Sequence, residues 1–248
     1  MRRRRVSLPP ISSLRAVVFD YGNTLIEFSE RQIAYSNRAL GACLRELLGP
    51  FAEDRLDALG EAARLEPYGN GYRENDFGEI SRRLVRELYG REPTAEELVA
   101  LLDARRQAFV ASIHVEPRVL ALLGRLAADF RLGLLSNYPS GLAIRQSLDR
   151  TGIGRHLRAV VISGEVGFIK PHPLPFQTIL RELGVAPSEV VHVGDNWLAD
   201  VQGAKRLGIA CIQIRQWLPL EKFKPGDSDL APDAVIEDLD ELRGLLLE

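Results

Sequence analysis

The chain has 248 residues, a length that fits one large domain or two unequal ones. Hydrophobic residues make up 46% of it and charged residues 27%, a composition that supports a substantial core, and the net charge of −2 argues against a general nucleic-acid binder. No apolar run approaches the roughly 18 residues that cross a membrane. The two distant cysteines, Cys43 and Cys211, predict neither a disulfide framework nor a zinc site, so we expect a cytoplasmic protein.

The first residues differ in composition from the rest of the chain. Four arginines follow Met1, and two prolines, Pro9 and Pro10, interrupt the stretch that comes next. A secretory signal would need an apolar run of roughly 7–15 residues at this point. We therefore predict a disordered basic tail over residues 1–13.

An apolar run at residues 16–19 leads directly into Asp20. A continuous apolar run of this length, bounded by turn residues, predicts a strand that is buried on both faces of a parallel sheet. Asp20 would then lie at the carboxyl edge of the sheet, where open α/β sheets bind their ligands. Taken alone, the stretch is equally compatible with Asp20 as a turn or capping residue.

Residues 28–113 carry apolar positions near helical spacing and contain no convincing strand. Beyond them, strands alternate with helices, which predicts βαβ units and a parallel sheet that includes the first strand. The fold class is therefore α/β, a Rossmann-like parallel-sheet core (residues 14–27 and 114–248) with an all-helical cap (residues 28–113) inserted after strand 1. We expect helices at 29–48, 51–65, 77–88, 94–113, 117–128, 140–150, 175–183, 198–207 and 236–247, and further strands at 132–136, 159–162, 190–193 and 210–214.

Polar residues end two more of the predicted strands. Ser136 and Asn137 end one of them, and Asp195 ends another. Because the carboxyl ends of parallel strands share one edge, these side chains should lie close to Asp20. Ser136, Asn137 and the helix N-termini beside them would offer hydrogen-bond donors to an anion. Asp20 and Asp195 would repel each other unless a cation such as Mg²⁺, which prefers oxygen ligands, lay between them.

Lys170 is unusual in a chain that favours arginine. Only four of the 32 basic residues are lysines, and Lys170 is the one in the apolar stretch Gly-Phe-Ile-Lys-Pro. A compact ammonium group acts as a point charge on phosphate or between carboxylates. The other interpretation is a surface lysine in a loop.

Four motifs follow one another along the chain. They are residues 19–25 (Phe-Asp-Tyr-Gly-Asn-Thr-Leu), residues 134–137 (Leu-Leu-Ser-Asn), Lys170-Pro171, and residues 193–200 (Val-Gly-Asp-Asn-Trp-Leu-Ala-Asp). Together they resemble the motifs of the haloacid dehalogenase-like hydrolase superfamily, in that family's order, and the resemblance covers residues 14–215. The helical insertion is similar in position and kind to the small cap domain of the family.

The resemblance implies a metal-dependent phosphatase that hydrolyses a small phosphorylated metabolite. Asp20 would attack phosphorus and form an aspartyl-phosphate, which water then hydrolyses. Mg²⁺ would be held by the Asp20 side chain, the Gly22 carbonyl and Asp195. Neither nucleic acid nor a membrane is implied as a partner.

The same resemblance implies supporting roles for the remaining motif residues. Ser136 and Asn137 would bind the phosphate group, and Lys170 would neutralise charge on the phosphate and the nucleophile. Asp200 would orient Lys170 or a metal-bound water. Asn196 would assist or would cap the following helix, and the cap is the favoured interpretation.

The chain departs from the family pattern at Gly22. Most phosphatases of the family have a second Asp there as general acid and base, a kind of catalysis that typically contributes about 10²–10⁴-fold. Tyr21, Asn23, Glu27, a cap residue or the substrate itself would have to compensate. Candidate pocket residues of the cap are Tyr35, Tyr68, Tyr72 and Arg73, which could equally be core or surface side chains.

Other chemistry in the family also occurs without that second Asp. The haloacid dehalogenases carry a Tyr there and need no metal, which gives no reason for the acidic pair Asp195 and Asp200. The phosphonate-cleaving relatives use a Schiff-base lysine from the cap, and residues 28–113 contain no lysine. The remaining alternative is a catalytically weakened protein that binds a phosphate ligand or has a regulatory role.

Overall fold

A computed structural model describes residues 8–217 and 230–247 of the chain. Within these residues a parallel sheet is flanked by helices, and a block of four helices leaves the sheet after its first strand. The predicted fold class is confirmed. The strands are β1 (Ala16–Phe19), β2 (Arg131–Ser136), β3 (Ala159–Ile162), β4 (Val190–Gly194), β5 (Ala210–Ile214) and β6 (Ala234–Ile236). The helices are α1 (Glu30–Leu48), α2 (Glu53–Gly69), α3 (Phe77–Tyr89), α4 (Ala95–Ser112), α5 (Pro117–Asp129), α6 (Gly141–Thr151), α7 (Ser163–Val166), α8 (Pro173–Leu183), α9 (Gly203–Arg206) and α10 (Leu242–Leu246).

The strand order places three strand ends beside one another. The order is β3-β2-β1-β4-β5-β6, and every pair of neighbours is parallel. The chain first runs outward from β1 through β2 to β3, and then crosses back to β4 on the other side of β1. In open α/β sheets the ligand crevice lies at the carboxyl ends of the strands where the order reverses in this way. Here that crevice is bordered by the ends of β2, β1 and β4.

The four apolar residues of β1 are all buried because both faces of the sheet are covered. Val17 and Phe19 face one hydrophobic cluster, to which α5, α6 and α10 contribute. Ala16 and Val18 face a second cluster, which contains apolar residues of α8 and α9. Alternation of side chains along a strand and helices on both sheet faces explain why the run contains no polar position.

The cap has an apolar core of its own. Leucines of α1, α2, α3 and α4 form a cluster that includes Leu44, Leu56 and Leu101 and is separate from the two clusters of the sheet. The N-termini of α1 and α4 each have a capping box, the second of them made by Thr94 and Glu97. The cap is therefore a helical bundle that holds itself together and packs beside the sheet. Its exact limits, residues 28–113, stay a prediction.

The prediction of one helix over residues 236–247 is wrong. Ile236 ends β6 and pairs with Ile214 of β5, because it is buried at the edge of the sheet core. Asp238 then caps a 3₁₀ turn at Leu239–Glu241, and the short α10 follows. The apolar residues in this stretch therefore serve a strand and two helical turns rather than one amphipathic helix.

Three further differences are local. The helix predicted at 198–207 is a π-helical turn, Trp197–Gln202, followed by α9. Helix α2 continues to Gly69 instead of ending near residue 65. In the predicted tail, Ile11–Ser13 form a single 3₁₀ turn, whereas residues 1–7 lie outside the described part of the chain. Across the described ranges, no helix has both the length and the apolar character required to cross a lipid bilayer.

Candidate active site

Lys170 lies at the centre of the site, buried to 1% exposure. Its ammonium group donates to Asp20 Oδ1 at 2.6 Å, to Asp200 Oδ1 at 2.7 Å and to the carbonyl oxygen of Leu135 at 2.8 Å. These three acceptors use all three N–H donors of the side chain. Lys170 is thus an ion-pair centre between the strand-end carboxylate of Asp20 and that of Asp200 in the helical turn after β4, and the interpretation as a surface lysine is excluded.

Asn137 fixes the backbone that carries this lysine. Its side-chain oxygen accepts the Lys170 backbone N–H at 2.8 Å, and its amide group donates to the Lys170 carbonyl at 3.0 Å. The end of β2 is therefore locked to the loop before α8. Ser136, the last residue of β2, is buried at the same edge. The predicted contacts of Ser136 and Asn137 with a phosphate group stay predictions.

Two groups hold Asp200 in addition to its ion pair with Lys170. His192 Nε2 on β4 lies 2.9 Å from Asp200 Oδ1, and the backbone N–H of Asn196 donates to Oδ2 at 2.9 Å. With Lys170 these contacts account for both carboxylate oxygens. Gly194 makes the approach possible, since a Cβ there would lie only 2.4 Å from Asp200 Cγ.

His192 was not among the residues predicted for the site. It lies within β4 between valines, and a polar residue inside an otherwise apolar buried strand is the signal that could have found it. The Asn196 side chain accepts hydrogen bonds from the N–H groups of Leu198 and Ala199. It therefore caps the π-helical turn, which agrees with the favoured interpretation.

Three carboxylates converge beside Lys170. Oxygen atoms of Asp20, Asp195 and Asp200 lie within 4.8 Å of one another. The hydroxyl of Thr24 donates to Asp20 Oδ2 at 3.2 Å, and Gln213 donates to the backbone carbonyl of Asp195 at 3.1 Å. The predicted strand-end residues Asp20 and Asp195 therefore do meet at one edge of the sheet.

The charges in this cluster are unevenly compensated. Burial and the charges of Asp20 and Asp200 raise the pKa of Asp195 well above its usual range. Burial also raises the pKa of Asp20, against the opposing charge of Lys170. Burial would raise the pKa of Asp200 too, but the Lys170 charge and the bond with His192 outweigh it and lower that pKa. Lys170 therefore forms ion pairs with both Asp200 and Asp20, whereas Asp195 has no ion-pair partner among the described residues.

The residues present fit a divalent cation. The converging donors are all oxygens, which is the ligand type that Mg²⁺ prefers. A cation beside Asp195 would supply the positive charge that its raised pKa shows to be missing. The Gly22 carbonyl, two residues after Asp20, remains a predicted ligand.

The side chains nearest to Gly22 in sequence are engaged elsewhere. The Tyr21 hydroxyl is buried against Ser147, with the two oxygens 2.9 Å apart. The Asn23 side chain accepts the backbone N–H of Phe28, and the Glu27 carboxylate accepts the Ser29 hydroxyl. None of these three residues fills the position of the missing acid in this structure.

Tyr68 of the cap is partly exposed and lines a cavity that also includes Asn137 at the end of β2. Partial burial and the charges of Asp200, Asp20 and Asp195 raise the pKa of this phenol, against the opposing charge of Lys170. Of the other three predicted cap residues, Tyr35 is exposed. Tyr72 and Arg73 instead contact the loop before Lys170, through Ile169 and Phe168.

Fold and site together define an α/β enzyme with an acidic, cation-compatible centre under a helical cap. Residues 14–208 match the family model for haloacid dehalogenase-like hydrolases. The chain belongs to this family and is a hydrolase, which confirms the prediction from its four motifs.

Relatives and solved structures agree with this membership. A glyceraldehyde 3-phosphate phosphatase from Methanopyrus kandleri is 31% identical over 95% of this chain and 98% of its own length. A phosphoserine phosphatase from Thermus thermophilus is 32% identical over 79% of this chain and 75% of its own. The structure of a 2-haloacid dehalogenase from Pseudomonas syringae pv. Tomato superposes with a TM-score of 0.74 at 25% identity, covering 94% of this chain and 98% of that one.

Proposed function

We propose that the protein is a Mg²⁺-dependent phosphatase that hydrolyses a small phosphomonoester through an aspartyl-phosphate on Asp20. The observation that carries this proposal is the Lys170 ammonium bound to both Asp20 and Asp200, with the Asp195 carboxylate beside them. Two curated relatives named as phosphatases support it.

The geometry gives each side chain a defined task. Lys170 and Thr24 hold one oxygen each of the Asp20 carboxylate, which orients the nucleophile. Lys170 also neutralises part of the charge that develops on the transferred phosphoryl group. Ser136 at the end of β2 would donate to a phosphate oxygen. When bound, Mg²⁺ would be held by Asp20, Asp195 and the Gly22 carbonyl, and would neutralise phosphate charge.

His192 and Asp200 position Lys170 and do not contact the substrate themselves in this proposal. Asp200 accepts a hydrogen bond from the Lys170 ammonium group. His192 and the backbone N–H of Asn196 fix the orientation of the Asp200 carboxylate. These contacts keep Lys170 protonated and aimed at Asp20, because the charges of Asp20 and Asp200 outweigh burial and raise the pKa of Lys170. Asp200 and His192 are positioning residues in this proposal.

Gly22 favours a second candidate function, a catalytically weakened protein that binds a phosphate ligand. No side chain at position 22 can protonate a leaving group, and the side chains of Tyr21, Asn23 and Glu27 are engaged elsewhere. The retained nucleophile Asp20 argues against this candidate, since binding alone does not need it. The acidic pair Asp195 and Asp200 argues against metal-free dehalogenation.

The test is a panel of phosphomonoesters assayed with Mg²⁺, with a chelator, and with the Asp20→Asn variant. We expect turnover that is lost on chelation and abolished by Asp20→Asn. Turnover that is indifferent to both changes would refute the proposal. Phosphate-ester binding without turnover in the unmodified protein would favour the weakened binder.

A further inference from the structure

A cavity of about 270 Å³ separates the cap from the strand ends. Its core side includes Asn137 and Ile169, the neighbours of Ser136 and Lys170, and its cap side includes Tyr68 and Arg105. The volume is just below the roughly 300 Å³ at which pockets for drug-sized molecules begin, so the cavity suits a metabolite of a few carbon atoms.

Arg105 is a cation without a counterion in this cavity. Its Nε is buried and has no hydrogen-bond partner, and no ion pair joins Arg105 to any residue that the structure describes. The guanidinium lies over the Phe77 ring, 5.2 Å from the ring centre. Burial lowers the pKa of Arg105 to about 10, so the side chain still carries its charge at neutral pH. Burial raises the pKa of the neighbouring Tyr138, which therefore stays neutral and gives no compensating charge.

Several arginines of the cap have ion-pair partners, whereas Arg105 combines a buried, unsatisfied Nε with no ion pair among the described residues. Arg106, the next residue, contacts Asp103 and Gln146. Arg83 on α3 forms an ion pair with Glu66 at 2.8 Å. An unpaired cation in a partly buried, aromatic setting is costly, so it indicates an anion that arrives from outside the protein.

The carboxylate that lines the same cavity is already engaged. Glu74 accepts hydrogen bonds from the Ser163 hydroxyl and from the Asn75 backbone N–H. The Glu74 side chain therefore has its own partners and leaves the guanidinium of Arg105 available to a ligand.

We propose that Arg105 binds a carboxylate group of the substrate, so that the protein dephosphorylates a small phosphorylated carboxylic acid. This inference rests on the proposed phosphatase function, because it takes the phosphate end of the substrate to lie at Asp20, Ser136 and Lys170. The planar fork of a guanidinium matches a carboxylate through two parallel hydrogen bonds. Arg105 is thus a specificity residue that lines the cavity and stands outside the group of residues proposed to bind the phosphate.

The experiment compares phosphate esters that share a three-carbon skeleton and differ at the distal carbon. The probes are 3-phosphoglycerate with a carboxylate, glyceraldehyde 3-phosphate with an aldehyde, glycerol 3-phosphate with an alcohol, and glycerol 1,3-bisphosphate with a second phosphate. We expect the highest kcat/KM for 3-phosphoglycerate. A preference for the bisphosphate or for a neutral ester would overturn the proposal.

Arg105→Met should remove this preference. The ratio of kcat/KM for 3-phosphoglycerate to that for glycerol 3-phosphate should fall roughly 10- to 100-fold, the size expected for losing a charge-assisted hydrogen bond. The loss should appear mainly in KM, and Arg105→Lys should recover part of it. The matched control is Arg83→Met, which removes a paired cap arginine away from the cavity and should keep the ratio. A ratio that is the same in Arg105→Met as in the unmodified protein would overturn the proposal.

Two further measurements separate this inference from the proposed function. Thermal unfolding checks that Arg105→Met folds. The melting temperature of this variant should be no lower than that of the unmodified protein, because an unpaired buried charge has been removed.

Calorimetry in the Asp20→Asn background measures 3-phosphoglycerate binding without turnover, and adding Arg105→Met should raise Kd roughly 10- to 100-fold. If every ester resists hydrolysis, the phosphatase proposal fails, whereas an Arg105-dependent Kd still supports the carboxylate site. Absent or Arg105-independent binding would overturn the inference.

Discussion

Gly22 stands where the sequence resemblance predicts the second Asp of most phosphatases of the family. A side chain at position 22 would require a small shift of Phe28, since a Cβ there would lie 3.2 Å from the Cβ of Phe28. Phe28 belongs to the segment that leads into the cap and packs on Phe109 of α4. The missing acid and the contact between core and cap are therefore linked at this position.

Restoring a carboxyl group at position 22 tests what its absence costs. We expect Gly22→Asp to raise kcat by at least about 10-fold and at most by the roughly 10²–10⁴-fold that general acid–base catalysis contributes. Gly22→Ala is the control, because it makes the same close contact with Phe28 without supplying an acid. Steady-state kinetics on one phosphomonoester measures both variants. If Gly22→Asp is no faster than Gly22→Ala, the leaving group obtains its proton elsewhere, and Tyr68 is the first cap residue to examine.

At the residue scale, the sequence predicts which side chains end the strands but not how they contact one another. Asp20, Asp195 and Ser136 follow apolar runs, so their common edge follows from the parallel sheet. The double hydrogen bond from Asn137 to the Lys170 backbone joins residues that are far apart in the chain. Contacts of this kind depend on loop geometry, which the pattern of apolar residues does not encode.

The cap and the core are joined by a short element that runs directly to the active site. The bridge between Arg73 and Phe168 lies beside two backbone hydrogen bonds, from Glu74 N–H to the Gly167 carbonyl and from Ile169 N–H to the Tyr72 carbonyl. The Glu74 side chain also accepts the Ser163 hydroxyl. Because Lys170 follows Ile169 directly, these contacts connect the cap to the centre of the site through two adjacent residues.

Loosening this connection should weaken substrate retention. We expect Glu74→Ala to raise KM several-fold with a smaller change in kcat, because the cap would close less often over bound substrate. Glu87→Ala is the matched control, since Glu87 pairs with Arg55 on the exposed surface of the cap. Steady-state kinetics gives both parameters. An effect of Glu87→Ala as large as that of Glu74→Ala would contradict a specific role for the connection.

At the element scale, predictions succeed where the sequence signal is unambiguous. The cap helices have sustained helical spacing and end signals such as the Thr94 capping box, and β1 to β5 are continuous apolar runs bounded by turn residues. The predicted terminal helix is only twelve residues long, which is too few turns for periodicity to separate a strand end from a helix start. Pairing of Ile236 with Ile214 decides between them, and that pairing exists only once the sheet has formed.

At the scale of the whole molecule, the buried carboxyl groups of the site lower the stability of the folded protein. The pKa of Asp195 is raised well above its usual range by burial and by Asp20 and Asp200. An acid of this kind holds a proton in the folded state that the unfolded chain has already released. The free energy of unfolding of the metal-free protein therefore falls as pH rises through the interval between the ordinary and the raised pKa.

Removing this acid should stabilise the metal-free protein. We expect Asp195→Asn to raise the melting temperature at neutral pH by about 2–4 °C, which corresponds to roughly 1 kcal/mol for a chain of this size. The gain should shrink at acid pH, where Asp195 is protonated in the unmodified protein. A destabilised Asp195→Asn variant would contradict this account of the charge cluster.

Mg²⁺ should offset the destabilising effect of the Asp195 carboxyl group. It should raise the melting temperature of the unmodified protein, because a ligand that binds only the folded state stabilises it, and the increase should be larger at neutral than at acid pH since protons compete for the carboxylates. Asp195→Asn should reduce this response. An equal Mg²⁺ response in both proteins would contradict the assignment of Asp195 as a ligand.

The central claim is that Asp20 is the nucleophile, and trapping the intermediate tests it most directly. The protein is mixed with a phosphomonoester that it hydrolyses, in the presence of Mg²⁺, quenched with acid within one turnover and digested for mass spectrometry. We predict a phosphoryl group on the peptide that contains Asp20, and none after the same treatment of Asp20→Asn. Turnover with no phosphorylated peptide, or with the phosphoryl group on another residue, would contradict the claim.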